Sequence, residues 1–369
     1  MKQTSYRGLF AVILIVLIVA VGLPGARAAS PNDTARILAG LPPAAGSPLA
    51  GITATPAWRD HAAQMSAAWN AFERHHLTRI RVWAAAKLPG PYPAMFYMFG
   101  GPDFVHADAF FPYARNYVQA GLEPVGSVPD LSRLPPQQLA ASLAALRQSL
   151  NNFLQFGYFI TKEMGAQFKF GAFSGTLPVL YVFLARSGKR IDKVELVALR
   201  GNGSVVAVKG KRKPTGVKIS FSGSDGAPRT LYYFRTNLEN AGVAKSGLLK
   251  FCARLGTGGS LLKSASYLMH VGGFSKVRDF VLRHSAIIVQ DDSGIPLKYL
   301  SNGQWNLYPF GQYIPPIDVF KRHVQPDMAQ LFARGAQRVN FGIGYRSHPT
   351  RTTILVATKA APSVPPRRQ

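Results

Sequence analysis

The acidic and imidazole side chains that could do chemistry fall in two short segments, each directly after an apolar run. The first segment, FGGPDFVHAD, holds Asp103, His106 and Asp108. Asp103 and His106 are three residues apart and share one side of a helix. A carboxylate and an imidazole at this spacing can bind a divalent metal or act as an acid/base pair. The structural alternative is that Asp103 caps the following helix through its side chain, while His106 and Asp108 are surface residues.

The second segment, IIVQDDSGIP, places Asp291 and Asp292 after another apolar run. If the two runs are neighbouring strands, Asp103, Asp108 and Asp291 converge on a carboxylate site, which would suit a metal-assisted hydrolase or a clamp for a cationic ligand. The alternative is an Asp-Ser-Gly turn in which Asp292 bonds its own backbone. The sequence names neither a metal nor a cofactor for such a site.

Nucleotide and nucleophile motifs are incomplete. In LGTGGSLLKSASYLMH the glycines precede a predicted helix with Ser260 as its N-cap, but the spacing does not match a P-loop. MFGGPD lacks the G-x-G-x-x-G spacing of a dinucleotide site, although Glu123 follows near the distance of the ribose-binding acid. No serine lies in a G-x-S-x-G motif. A degenerate Rossmann-like fold without cofactor is therefore one hypothesis.

Residues 1–28 have the three parts of a secretory signal peptide. Lys2 and Arg7 precede an apolar run over 9–23, and Ala26-Arg27-Ala28 supplies an A-x-A site with cleavage before Ala29. The run is shorter than a spanning helix needs, and no later segment is long and apolar enough to replace it. The prediction is a soluble periplasmic or secreted protein with no transmembrane anchor after cleavage.

Charge is the most unusual bulk property of the chain. The 369 residues carry a formal net charge of +26, and loss of the signal peptide, with three basic residues and no acidic ones, leaves +23. Such a field favours anionic partners, which outside the cytoplasm means envelope polymers or lipid head groups; nucleic acid is not the expected partner. The densest cations lie in a predicted hairpin loop: Lys209, Lys211, Arg212 and Lys213. The alternative is a solvated surface with no single partner.

The hydrophobic fraction of 47% is typical of a chain that buries a core. The one cysteine, Cys252, cannot form an internal disulfide, and its apolar surroundings in LLKFCARL predict a buried, inert thiol.

Periodicity predicts the main elements. A helix begins at Pro56 with Thr55 as its cap, and AMFYMF is a buried strand. The stretch DFVHADAFFPYARNYVQAG reads as an interrupted helix, LEPVG as a candidate strand, and an amphipathic helix begins at Pro136. LPVLYVFLA reads as a buried strand, GVKISFSGSDGAPRTLYYF as a β-hairpin, and RVNFGIGYR with TTILVATKA as a final antiparallel pair.

These elements predict an α/β fold of three layers with a mixed sheet, a Rossmann-like start, and antiparallel hairpins in the second half. The predicted organisation is a signal peptide at 1–28, a loosely structured lead-in at 29–54, a single α/β domain at 55–359 and a disordered basic tail at 360–369.

Three stretches, MFYMFGGPDFVHADAFFPYARNYVQAGLEPVG, LLKSASYLMH and SAIIVQDDSGIPLKYL, resemble an uncharacterised family of exported bacterial proteins. The resemblance implies secretion and a single-family organisation, but no activity and no catalytic residue. The leading hypothesis is an exported protein that binds at the cell envelope through its basic surface. The alternative is a metal-assisted hydrolase that uses Asp103, His106, Asp108 and Asp291.

Overall fold

The computed structural model describes residues 29–159, 168–210, 213–345, 348 and 351–360. The predicted signal peptide, nearly all of the predicted tail, and Lys211 and Arg212 lie outside the described residues. Within them, the α-helices are α1 (Pro31–Leu38), α2 (Pro56–Phe72), α3 (Thr78–Lys87), α4 (Phe104–Phe110), α5 (Pro136–Phe156), α6 (Leu177–Arg186), α7 (Asn240–Ser246), α8 (Leu248–Arg254), α9 (Ser275–His284) and α10 (Pro326–Gly335).

The strands of the described residues form one large sheet and one small hairpin. They are β1 (Ala94–Tyr97), β2 (Asn116–Gly121), β3 (Lys169–Phe170), β4 (Phe173–Ser174), β5 (Arg190–Leu199), β6 (Val205–Ala207), β7 (Gly216–Ser222), β8 (Pro228–Arg235), β9 (Gly258–Leu262), β10 (Ser285–Gln290), β11 (Trp305–Gly311) and β12 (Thr353–Lys359).

The large sheet has ten strands in the order β11-β12-β10-β9-β1-β2-β8-β7-β5-β6. Its centre, from β10 to β8, is parallel, and antiparallel strands flank it on both sides. The α/β fold with a mixed sheet is therefore confirmed, and so is the predicted hairpin β7–β8. The hairpin forms because Val217, Ile219 and Phe221 alternate with polar residues and bury one face.

The five parallel strands lie side by side in the order third, second, first, fourth, fifth of their sequence along the chain. From β1 the chain goes through α4 to β2 on one side, and from β9 it goes through α9 to β10 on the other. In open α/β sheets, a reversal of this kind between adjacent strands opens a crevice at their carboxyl ends, where ligands bind.

Helices cover both faces of this sheet. Met95 and Tyr97 of β1 pack with α1 to α6 in one apolar cluster. Phe96 of the same strand packs with α7 to α10 in a second cluster. Because successive side chains of a strand point to opposite faces, β1 contributes to both cores and is buried along its whole length.

The long N-terminal helix begins as predicted. Thr55 caps α2 by accepting a hydrogen bond from the amide of Trp58, and Pro56 occupies the first turn. A single π-helical turn over Glu73–Leu77 joins α2 to α3. The extra residue in that turn buries Leu77 and leaves His76 half-buried at the edge of the core.

Four element predictions are wrong. LPVLYVFLA forms α6, which is buried on all sides, so its sequence has no polar face to reveal the helical period. NYVQAG forms β2 rather than the end of a helix, and LEPVG is the loop after it. The partners of β12 are β10 and β11, and RVNFGIGYR is not a strand in the residues described there.

The glycine-rich segment before Lys263 is also different from the prediction. It forms the central strand β9, so Ser260 is not a helix cap; its hydroxyl hydrogen-bonds that of Ser285 on β10 at 2.8 Å. The glycines are needed for close approach: a Cβ on Gly258 would lie 2.2 Å from the Ala94 carbonyl oxygen, and one on Gly259 would lie 2.4 Å from the Phe111 ring.

The predicted loose lead-in at 29–54 is ordered. Ser30 caps α1, and Ile37, Leu38 and Leu49 are fully buried in the first cluster. The prediction failed because the segment's apolar residues are few and lie among Ala, Pro and Gly. None of the helices in the described residues is long and apolar enough to cross a membrane.

Candidate functional site

A cavity of about 190 Å³ opens at the carboxyl ends of the four neighbouring parallel strands β9, β1, β2 and β8. Its wall includes Gly100 and Gly101 after β1, Glu123 after β2, and Lys263 and Ser264 after β9. It therefore lies at the crevice that the strand order predicts for a ligand site.

Asp103 is the centre of a buried polar network beside this cavity. Its carboxylate caps α4 by accepting from the amide of His106, as the structural alternative predicted. The same carboxylate accepts the Tyr97 hydroxyl at 3.0 Å and contacts Lys263 Nζ at 3.1 Å. Burial alone would raise the pKa of Asp103, but His106 and Lys263 outweigh it and hold the pKa well below its ordinary value.

Lys263 enters this network directly after β9 and is 2% exposed. Its ammonium group donates to the backbone carbonyl of Gly157 at 2.6 Å and pairs with Asp103. A buried ammonium group needs such partners because removal from water is costly. Lys263 thus joins the end of α5 to the carboxyl edge of the sheet.

A chain of imidazoles leads from Asp103 toward the protein surface. His106 is fully buried and its Nδ1 lies 2.8 Å from Asp103 Oδ1, so Nδ1 carries the proton. Its Nε2 lies 2.8 Å from Nε2 of half-buried His76. Burial lowers the pKa of both rings. Asp103, His106 and His76 therefore form a continuous hydrogen-bonded path.

Asp291 reaches the site from β10, the strand next to β9. Its Oδ2 accepts the amide of Ser264 at 2.7 Å, and its Oδ1 accepts the amide of Ser293 at 2.9 Å. Burial raises the pKa of Asp291, while Ser293, Ser264 and Lys263 oppose the rise. Asp103 therefore pairs with Lys263, and Asp291 bonds the next residue, Ser264. Asp291 also forms the predicted Asp-Ser turn through the amide of Ser293.

Asp292 follows Asp291 and has a different side-chain partner. Its carboxyl accepts the hydroxyl of Tyr267. It also interacts with its own backbone, as the alternative predicted. Burial, with the neighbouring Asp291 charge, raises the pKa of Asp292 to about 8.

Asp108 does not join the other candidates. Its Oδ1 contacts Lys189 Nζ at 2.8 Å and accepts the Tyr117 hydroxyl at 3.3 Å. Burial raises its pKa, although Lys189 lowers it. The expected convergence of Asp103, Asp108 and Asp291 is therefore wrong for Asp108, because it lies on the opposite side of α4 from the Asp103 network.

Ser264 is the residue that sequence reasoning missed. Its φ of 62° makes it the one non-glycine residue with positive φ among the described residues, with ψ at −85°. The residue lines the cavity, and its buried hydroxyl has no hydrogen-bond partner in the part of the chain that the structure describes. Strained backbone held by its surroundings is typical of active sites.

The geometry around Ser264 is that of a strand-to-helix turn. β9 ends at Leu262, and a 3-10 helix over Ala265–His270 begins directly after the serine. Identification of GGSLL as a strand would have placed Lys263-Ser264 at its carboxyl end and pointed to this position. The glycines instead suggested a loop.

The predicted cation cluster is described only in part. Lys209 and Lys213 are exposed beside the edge strand β6, and Lys211 and Arg212 lie outside the described residues. The described residues include no group of three His, Cys, Asp or Glu side chains that could hold a metal ion. The N-terminus of α4 is occupied by the carboxylate of Asp103, which leaves no phosphate site there.

The fold and site together define an α/β protein with a cavity and a strained serine at the carboxyl edge of a parallel sheet. No protein-family model, no curated protein and no solved structure matches the chain.

Proposed function

We propose that the protein is a metal-independent hydrolase that cleaves small carboxylic esters, with Ser264 as the nucleophile. One observation carries the proposal: a serine with a strained, positive-φ backbone stands at the tip of a central parallel strand and lines a cavity, and its buried hydroxyl has no hydrogen-bond partner among the described residues. A nucleophilic serine on a sharp strand-to-helix turn has this geometry in α/β hydrolases. This revises the metal-assisted hypothesis and keeps Asp103, His106 and Asp291 in supporting positions.

In the proposed reaction, Ser264 Oγ attacks the ester carbonyl carbon. The new C–O bond forms as the bond to the leaving alcohol breaks, and the alcohol departs with the proton of the serine hydroxyl. Water then attacks the acyl-enzyme by the reverse route and releases the carboxylic acid.

Negative charge develops on the carbonyl oxygen during this attack. Backbone amides of the residue after the nucleophile and of the loop after a neighbouring strand stabilise such an oxyanion in enzymes of this architecture. Ala265 follows Ser264, and Gly100 lies in the loop after β1; both border the cavity. Gly100 packs against the Tyr97 ring, where a Cβ would lie 2.4 Å from Cζ.

Hydrolysis of p-nitrophenyl acetate, with and without EDTA, tests the proposal. We expect turnover that resists EDTA, that is abolished by Ser264→Ala and that survives Ser266→Ala, a matched change two residues away. Turnover that Ser264→Ala leaves unchanged, or that EDTA removes, would contradict the proposal.

Envelope binding is a second candidate function, supported by a separate surface. The basic turn cluster consists of Arg200, Lys245, Lys250 and Arg254, all exposed. The turn between β5 and β6, which holds Asn202 and Gly203, lies against α8. Arg254 donates to the Asn202 carbonyl at 2.6 Å, and a Cβ on Gly203 would lie 2.9 Å from Lys250 Cβ. None of the four forms an ion pair within the described residues.

Unpaired cations on one surface attract anionic lipid head groups, and salt screens the attraction. Flotation with phosphatidylglycerol vesicles across a salt series tests this function. Neutralisation of the basic turn cluster to Gln should release the protein at lower salt than neutralisation of four exposed cations elsewhere: Arg59, Arg74, Lys321 and Arg334. Equal release by the two variants would leave only the bulk charge to explain binding.

A further inference from the structure

The charge inside the cavity is opposite in sign to the charge of the protein. The chain has 17 acidic residues against 43 basic ones. Among the described residues, three of those acids, Asp103, Glu123 and Glu239, border the cavity together with a single cation, Lys263. Because Lys263 pairs with Asp103 at 3.1 Å, the two glutamates are left as the net charge of the wall.

Glu123 is the better placed of the two glutamates to meet a ligand. It is half-buried after β2, and its Oε2 accepts the hydroxyl of Tyr233 at 3.2 Å. The nearby guanidinium of Arg235 donates to the Leu122 carbonyl, and Glu123 has no ion pair within 4.0 Å among the described residues. A partly desolvated carboxylate that forms no ion pair gains from a cation that a ligand supplies.

Aromatic rings border the same cavity. Phe99 and Phe274 meet edge to face at 6.1 Å between ring centroids, and Tyr158 and Phe159 lie on the wall after α5. Faces of aromatic rings attract ammonium groups, and sites for quaternary ammonium ligands combine such rings with carboxylates. The same aromatic side chains can contact the methyl groups of such a ligand.

We propose that the ester bound in this cavity carries an ammonium group, which lies at the Glu123 end while the carbonyl carbon meets Ser264. The inference rests on the proposed hydrolase function and names its substrate class. The wall supplies each part of the recognition: the Glu123 carboxylate for charge, the aromatic rings for the alkylated nitrogen, and Ser264 for the reacting carbon.

The positive net charge of the protein does not prevent a cationic ester from binding in the cavity. Charges on the exposed surface are screened over about 8–10 Å at physiological salt. The carboxylate of Glu123 would lie within contact distance of the ligand in a partly desolvated site, where attraction is several-fold stronger than in bulk water. The local charge therefore decides which ligand the cavity binds.

Binding to Ser264→Ala protein separates recognition from turnover. The probes are acetylcholine and 3,3-dimethylbutyl acetate, which has the same shape without the charge, each measured by calorimetry. We expect acetylcholine to bind about tenfold more tightly or better, and Glu123→Gln to remove most of that preference. Glu195→Gln, the same charge change on the distant strand β5, should leave binding as it is.

Equal binding of the two esters, or no binding of either, would overturn the substrate class. So would a preference that Glu123→Gln leaves intact. If acetylcholine shows no such preference but p-nitrophenyl acetate is still hydrolysed at Ser264, the substrate class is wrong and the hydrolase proposal is kept. If acetylcholine binds through Glu123 but Ser264 has no reactivity, the hydrolase proposal fails and the cationic site stands.

Discussion

The amide of Ser264 donates to Oδ2 of Asp291 at 2.7 Å, across the gap between two neighbouring parallel strands. The bond fixes the backbone of a serine whose φ of 62° is unfavourable for any residue with a Cβ. Asp291 is itself fixed by the amide of Ser293 at 2.9 Å. The carboxylate thus holds the serine in a strained turn at the cavity wall.

Glycine at position 264 should relieve the backbone strain. We expect Ser264→Gly to have a free energy of unfolding about 1 kcal/mol higher than Ser264→Ala, because only the alanine keeps a Cβ at positive φ. Urea denaturation of the two variants measures the difference. An alanine variant as stable as the glycine variant would mean that the turn stores no strain.

Removal of the ammonium group of Lys263 should destabilise the fold strongly. Lys263→Met leaves the Gly157 carbonyl without its donor and Asp103 without one of its charged partners, both buried. We expect a loss of about 3–5 kcal/mol in the free energy of unfolding. The control is Lys193→Met, which breaks an exposed pair with Glu195 and should cost less than about 1 kcal/mol. Similar losses in the two variants would contradict the role of the buried pair.

Asp292 should make stability fall as pH rises toward mildly alkaline values. Its pKa of about 8 in the folded protein exceeds the ordinary value of an aspartate. At a pH between the ordinary pKa of an aspartate and about 8, the folded state holds a proton that the unfolded state has lost. The free energy of unfolding therefore decreases as pH increases through this range. Below the ordinary pKa both states are protonated, and this loss is absent.

Denaturation of wild type and Asp292→Asn at about pH 5 and about pH 8 measures the contribution of Asp292, including its effect on the neighbouring Asp291. We expect the wild type to lose more stability than the variant between the two pH values. Identical pH dependence in the two proteins would show that Asp292 does not hold a proton in the folded state.

The sequence predicts elements whose pattern has one exposed face. The hairpin β7–β8 follows from the alternation of Val217, Ile219 and Phe221, and the start of α2 follows from Thr55 and Pro56. Elements buried on all sides give no such pattern. The segment LPVLYVFLA of α6 is almost entirely apolar, so the sequence predicts a buried strand there. The strand β9 begins with two glycines, so the sequence predicts a loop there.

The candidate site was predictable only where its contacts are local. Asp103 and His106 are three residues apart, and their pairing and the helix cap follow from that spacing. The approach of Asp291 depends on β10 lying next to β9, which is a property of the sheet order. The strain at Ser264 arises from tertiary contacts, so it could not be predicted from the residue types in the sequence.

Covalent labelling of the folded protein by a fluorophosphonate, with the modified residue located by peptide mass spectrometry, tests the central claim most directly. The proposal predicts a single adduct on Ser264, formed rapidly and slowed by excess p-nitrophenyl acetate during the labelling. The adduct should be absent from Ser264→Ala protein and present on Ser266→Ala protein. A folded protein that stays unlabelled, or that is labelled at another residue, would contradict the assignment of Ser264 as the nucleophile.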